Sequence, residues 1–187
     1  PDEPNWTTFG YLGFPESDRD VVINRYDNAL RFADEQLGRI FDHLRDSGEL
    51  EHTIIVVTAD HGEMFFERGL VTHGKTLNEI EARVPILIRW PEQLAPDVRE
   101  DPVSHLDILP TLLDLMDLPP HPSWQGTSFL EPSERAIYMN IQGLRFADAI
   151  VCWPWKLILE RTSKKPYLYN LVDDPDEQSN LVTRRPM

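Results

Sequence analysis

Two short stretches carry the residue types that do chemistry. The first is Asp60-His61-Gly62-Glu63-Met64, and the second is His73-Gly74-Lys75. Asp60 offers a hard anionic oxygen and His61 a borderline nitrogen, so the adjacent pair can reach one cation between them. Gly62 lets the chain turn straight after the pair. An Asp-His-Gly triplet alone is commonplace. It gains weight because it follows a seven-residue apolar run and precedes His-Gly-Lys, where binding and catalytic groups concentrate in loops. Asp60 and His61 are therefore expected to ligate a metal. The other polar candidates read as ordinary surface: Glu63 and Glu67 as solvated loop carboxylates, His43, His52 and His121 as exposed, and His105 as a local structural residue. Trp153 and Trp155, around Pro154, read as closing an interface between sheets.

The element that must present the Asp-His pair is Thr53–Ala59, continuous and β-branched. It reads as a strand buried on both faces, in the manner of central parallel strands. In open α/β sheets ligands bind beyond the carboxyl ends of such strands. Val84–Trp90 reads as a second strand, with Pro85 confined to its start or to an edge. Upstream, Tyr26, Ala29, Leu30, Ala33, Leu37, Ile40, Phe41 and Leu44 recur at helical spacing. That helix begins after Ser17 or Asp18, stops at Ser47-Gly48, and is expected to pack its apolar face into a core. At ~1.5 Å per residue it runs on the order of 45 Å. Leu106–Met116 predicts a second helix, with Pro110 in its first turn if it begins near Ile108. The sum is an α/β pattern. From Pro119 a proline-rich loop leads to short β-like runs at 135–141, 146–151, 155–160 and 167–171, separated by Gly143, Pro154 and Lys164-Lys165-Pro166. These predict a small antiparallel sheet.

Composition narrows the function classes. At 187 residues, 41% hydrophobic and 27% charged, the chain is globular and long enough for a real core. Eighteen Lys+Arg against 32 Asp+Glu give a formal charge of −14, which argues against nucleic acid as a partner. No apolar run approaches a membrane span, and no N-terminal stretch looks like a signal peptide. The single cysteine, Cys152, excludes an internal disulfide framework and a Cys-rich zinc module. Composition leaves the compartment open. A chain that starts at Pro1 reads as a processed or truncated piece.

Taken in order, the motifs resemble the C-terminal half of the sulfatase family. They are Asp60-His61-Gly62-Glu63, His73-Gly74-Lys75, then Glu79 and Arg83-Val84-Pro85-Ile86-Leu87-Ile88. Val103-Ser104-His105-Leu106-Asp107-Ile108-Leu109-Pro110-Thr111-Leu112-Leu113-Asp114-Leu115 follows at the matching spacing. The close, Leu168-Tyr169-Asn170-Leu171 with Asp174-Pro175-Asp176-Glu177 and Asn180-Leu181, is similar too. The likeness extends from about residue 20, through the helix with Tyr26 and Leu37-Gly38-Arg39, to residue 182. It implies an alkaline-phosphatase-like α/β fold, a mixed sheet flanked by helices and only partly present here, with a small antiparallel C-terminal sheet. Residues 1–118 would be the catalytic part and 119–187 the small subdomain.

The resemblance also implies one divalent cation, usually Ca2+, with Asp60 and His61 on the family's ligand pair. It places His73 against the sulfate group, with Lys75 as the second candidate; otherwise Lys75 caps a turn at the surface. In the family a formylglycine made from a C/S-x-P-x-R motif supplies the nucleophile: its hydrate attacks sulfur, the alcohol leaves, and the hemiacetal collapses to release sulfate. No such motif occurs here, Cys152 lacks the Arg, and Asp173-Asp174 lies in the closing loop and not after an early strand. The chain alone is therefore expected to be inactive, to expose apolar sheet surface, and to self-associate or bind a missing N-terminal half. Two alternatives remain open at this point. One is a phosphodiesterase, phosphonate hydrolase or phosphoglycerol transferase of the same superfamily, using Mn2+ or Zn2+, which suit the imidazole of His61. The other is a non-catalytic domain acting as partner or scaffold.

Overall fold

The structure is a computed structural model and describes residues 15–130, 134–142 and 146–182. The backbone gathers into two compact units, one up to Leu94 and one from Ala95.

The first unit opens with α1, Arg19–Asp46. It ends as expected: the Ser47 N–H donates to His43 O at 3.0 Å, and Gly48 turns the chain at a φ of +78°. Its apolar face is not packed as expected. Among the described residues none of the α1 side chains is buried, and Phe32 is 64% and Leu30 57% exposed. Periodicity identifies which face is apolar; it does not supply what covers that face. The ring of Tyr26 does meet Phe65 edge-on, at 4.9 Å between centroids.

Strand β1, Ile55–Thr58, is shorter than the apolar run and differs from expectation in partner and burial. It pairs antiparallel with β4, Ile86–Arg89, with Ile55 opposite Arg89 and Thr58 opposite Ile86. The two form a two-stranded sheet whose side chains are largely half-buried, where a central strand buried on both faces was expected. β-Branched residues favour a strand, but strand direction depends on how the chain returns. Here it returns through a hairpin, β2 (Met64–Phe65) against β3 (Val71–Thr72), and a one-turn helix, α2 (Glu79–Ala82). Pro85 sits just before β4, where its missing N–H costs no ladder bond. Its carbonyl accepts from Thr58 Oγ1 at 2.8 Å, fixing the end of β1 that leads into Asp60. Met64, Val71 and Leu77 are the buried apolar residues of this unit among the described residues.

In the second unit a tight turn at His105–Asp107 leads into α3, Ile108–Leu115. Pro110 falls in the first turn, as its chemistry requires. Ser104 and Asp107 form a reciprocal capping box, so His105 opens the helix entry while Asp107 does the structural work. Buried Asp107 also accepts from Thr127 N at 2.9 Å and pairs with Arg135. Strands β5 (Ile137–Gln142), β6 (Phe146–Cys152), β7 (Trp155–Glu160) and β8 (Lys165–Asn170) form the expected antiparallel sheet in sequential order. The Gly143 break lies outside the described residues.

Ala147, Ala149, Val151, Ile158 and Tyr169 are buried in this unit. Lys156 and Glu177 are buried with them as an ion pair, Nζ to Oε1 3.1 Å. Trp153 is not an interface plug: it stands at the β6–β7 turn, 52% exposed, while Trp155 is half-buried. Asp174, expected as a solvated loop residue, is half-buried and accepts from the N–H groups of Gln178 and Ser179. His43, His52 and His121 are exposed, as is Cys152. No helix among the described residues is long and apolar enough to cross a membrane.

Candidate functional site

The Asp-His pair emerges from the end of β1. Asp60 projects almost wholly into solvent, and its Oδ2 lies 3.6 Å from His61 Nε2. His61 Nδ1 lies 2.9 Å from Gly62 O. A carbonyl can only accept, so Nδ1 is the donor of this bond and Nε2 is the ring nitrogen that faces Asp60. Such a bond on one ring nitrogen is how proteins prepare the other as a metal ligand. A 3.6 Å separation also suits two donors on one cation, each at ~2.0–2.6 Å from it. The donor set of these two residues thus fits a divalent ion.

The β2–β3 hairpin brings the second stretch to the first. Met64 pairs with Thr72 and Phe65 with Val71, so counting outward puts Glu63 opposite His73. Their side chains meet: His73 Nδ1 lies 2.8 Å from Glu63 Oε2. The His73 ring also lies against that of His61, with centroids 4.1 Å apart and planes tilted by 34°. Among the described residues His61, Glu63 and His73 form a group whose donor atoms all lie within 4.8 Å, close enough to hold a metal ion.

Lys75 has a different environment. Its side chain folds back under the hairpin, and Nζ donates to Val71 O at 2.6 Å. Gly74 makes this possible with a φ of +75°, a conformation that side-chain-bearing residues rarely adopt.

Behind both stretches lies α2. Glu81 is buried, and its carboxylate accepts from Gly74 N at 2.7 Å and from Lys75 N at 3.2 and 3.3 Å. Its backbone carbonyl accepts from Gly62 N at 2.8 Å. A Cβ on Gly62 would fall 2.1 Å from Ile80 O, so only glycine fits there.

The structure therefore brings Asp60, His61 and His73 into one neighbourhood and turns the Lys75 ammonium to a backbone carbonyl. Glu63 was read as solvated, yet its carboxylate is mostly covered and hydrogen-bonded to His73. The signal for it lay in the hairpin: Phe66-Glu67-Arg68-Gly69-Leu70 between Met64-Phe65 and Val71-Thr72 sets the register that puts residue 63 across from 73. Glu67 likewise turns inward, accepting from Phe65 N. Glu81 gave no signal at all, because a carboxylate in a short polar helix looks like surface.

Comparison with known proteins places these observations. A family model described as Sulfatase matches residues 4–118. An uncharacterized sulfatase of Escherichia coli (strain K12), YidJ, is 32% identical over 162 residues, covering 81% of this chain and 32% of that protein. A choline-sulfatase of Rhizobium meliloti (strain 1021) is 36% identical over 185 residues, covering 92% of this chain and 36% of that protein. Among solved structures, BT4656 in complex with its substrate D-glucosamine-2-N,6-O-disulfate superposes with a TM-score of 0.66 at 26% identity, over 79% of this chain and 33% of that one. The chain spans about a third of the length of the relatives it matches.

Proposed function

Since the chain belongs to the sulfatase family and carries part of its alkaline-phosphatase-like fold, we propose that it supplies one side of the cation and ester site of a sulfuric ester hydrolase. The reading rests above all on the contact between His73 and Glu63 beside the His61 ring. Asp60 and His61 are the metal ligands. A divalent cation there supplies fixed positive charge beside the sulfate oxygens. The imidazole of His61 beside the Asp60 carboxylate suits Mn2+ or Zn2+ better than an all-oxygen site would, while Ca2+ remains the family's usual ion.

His73 is the catalytic proton donor. Glu63 accepts the Nδ1–H and so orients the ring; as the imidazolium, His73 gives its Nε2–H to the departing alkoxide and is left as the neutral ring with its Nδ1–H still on Glu63. Cleaving an ester with a poor leaving group needs such a donor. Lys75 is the second candidate. With Nζ on Val71 O it secures the His73 turn, and it must leave that carbonyl to touch the sulfate. The nucleophile is not among these 187 residues, which hold no C/S-x-P-x-R. It belongs to a segment of a longer protein, and the chain alone is inactive.

That segment is also the proposed partner for the exposed faces of α1 and of the β1–β4 pair, which otherwise leave room for self-association. The proposed division into a catalytic part, 1–118, and a C-terminal subdomain, 119–187, follows the family match, which ends at residue 118, whereas the backbone divides into its two compact units at Leu94 and Ala95.

The test uses the full-length protein, stripped of metal and reloaded with Ca2+, Mn2+ or Zn2+ in turn. Aryl sulfate hydrolysis should return with metal and exceed aryl phosphate or phosphonate ester hydrolysis. Preference for the phosphorus esters would move the reading to phosphoryl transfer. Metal binding without turnover of either would make this a binding domain.

A further inference from the structure

We propose that Glu81 is the positioning residue of this site, a buried carboxylate that holds both reactive loops in register. Three observations carry it. First, Glu81 is 5% exposed, and its two oxygens take the backbone N–H groups of Gly74 and Lys75. Three donor–acceptor contacts to one buried anion are what such a charge needs in order to be tolerated away from water. Second, the same residue's carbonyl takes Gly62 N, so one position on α2 grips the 60–63 loop by its main chain and the 73–75 loop by its side chain. Third, the grip is close: Gly62 packs against Ile80 O where no Cβ fits.

The consequence follows from geometry. Neither loop has a regular ladder at its reactive residues, since β1 stops at Thr58 and the β2–β3 pairing stops at Met64 and Thr72. Gly74, at a positive φ and exposed, has no packing of its own to hold it. The relation of His73 to His61 is therefore fixed from behind by Glu81. Reacting groups must be held to within a fraction of an ångström, so loosening this clamp misplaces His73 without removing it. The catalytic part of this inference rests on the sulfatase reading; the structural part does not.

Glu81→Gln separates the two. Glutamine keeps the size and one acceptor oxygen, but its NH2 faces the Gly74 and Lys75 donors. In the full-length protein, hydrogen exchange should show the amides of residues 74 and 75 protected in the wild type. In Glu81→Gln they should exchange at least about tenfold faster, with strands β5–β8 unchanged, and kcat for an aryl sulfate should fall roughly 10- to 100-fold with KM nearly constant, as expected for lost hydrogen bonds to a charged acceptor. Unprotected amides at 74 and 75 in the wild type would overturn the proposal without any variant. So would retained protection in Glu81→Gln, a kcat within twofold of wild type despite lost protection, or a uniform rise in exchange across the first unit. If the wild-type protein hydrolyses no sulfate ester, the sulfatase reading fails while the exchange measurement still decides the clamp.

Discussion

The C-terminal sheet and the site-bearing unit solve the problem of holding a chain together in different ways. In the sheet, alternate residues of β6 turn inward, from Ala147 through Ala149 to Val151, and buried Lys156 meets buried Glu177 beneath them. In the unit of the proposed site α1 has no buried residue, the two-stranded β1–β4 sheet is largely half-covered, and a buried polar group ties the loops together: Glu81 against Gly62, Gly74 and Lys75. The first region is organised by its own side chains. The second is organised around a set of loops and leaves apolar side chains such as Phe32 and Leu30 exposed. The proposed site sits where the packing is least self-sufficient, in keeping with the low local stability that binding loops need.

The sharpest way to break this contrast is at the buried pair. Lys156→Ala removes the buried cation that pairs with buried Glu177 and should cost about 3–5 kcal/mol in urea unfolding. A cost near zero would mean the sheet does not depend on the pair. Ile158→Ala, in the same core, should cost ~2–5 kcal/mol through the cavity it leaves. On the other side of the contrast, Phe32→Ser on α1 should change the stability of this chain alone by only about 0.5 kcal/mol, as exposed positions do. In the longer protein the same change should cost roughly 1.5–3 kcal/mol, the loss of a fully buried side chain, if α1 is covered there. Equal effects in both would refute the docking of that face.

The smallest effect belongs to the exposed pair on the sheet. The Arg161 guanidinium, hydrogen-bonded to Asp148, holds that carboxyl below the usual carboxylate range. A depressed folded-state pKa gives stability that is present above the unfolded value and lost as pH falls through the folded one. The small Tm difference between wild type and Asp148→Asn should therefore shrink toward zero on acidification. A difference that grows would contradict the assignment.

Much of this was legible from residue order. The β-like runs after Pro119 announced the four-stranded sheet, Pro110 located the first turn of α3, and Asp60-His61 marked the loop of the proposed site. What sequence could not give was context. The apolar stripe of α1 does not reveal whether anything covers it, and Ile54–Val57 does not state which way its neighbour runs. Glu63 and Glu81 were invisible for a shared reason. A carboxylate is read as solvated until a hairpin register or a close glycine contact shows which donors surround it.

In the proposed reaction His73, oriented by Glu63, gives a proton to the leaving oxygen of a sulfate ester. The most direct measurement is the dependence of log kcat/KM on leaving-group pKa, across a series of aryl and alkyl sulfates, for the full-length protein and its His73→Ala variant. A lost proton donor predicts a steeper dependence in the variant, with little loss for good leaving groups and a loss on the order of 10²–10⁴-fold for the poorest. Parallel lines, or near-normal turnover of an alkyl sulfate by His73→Ala, would contradict it and pass the role to Lys75 or to a residue outside this chain.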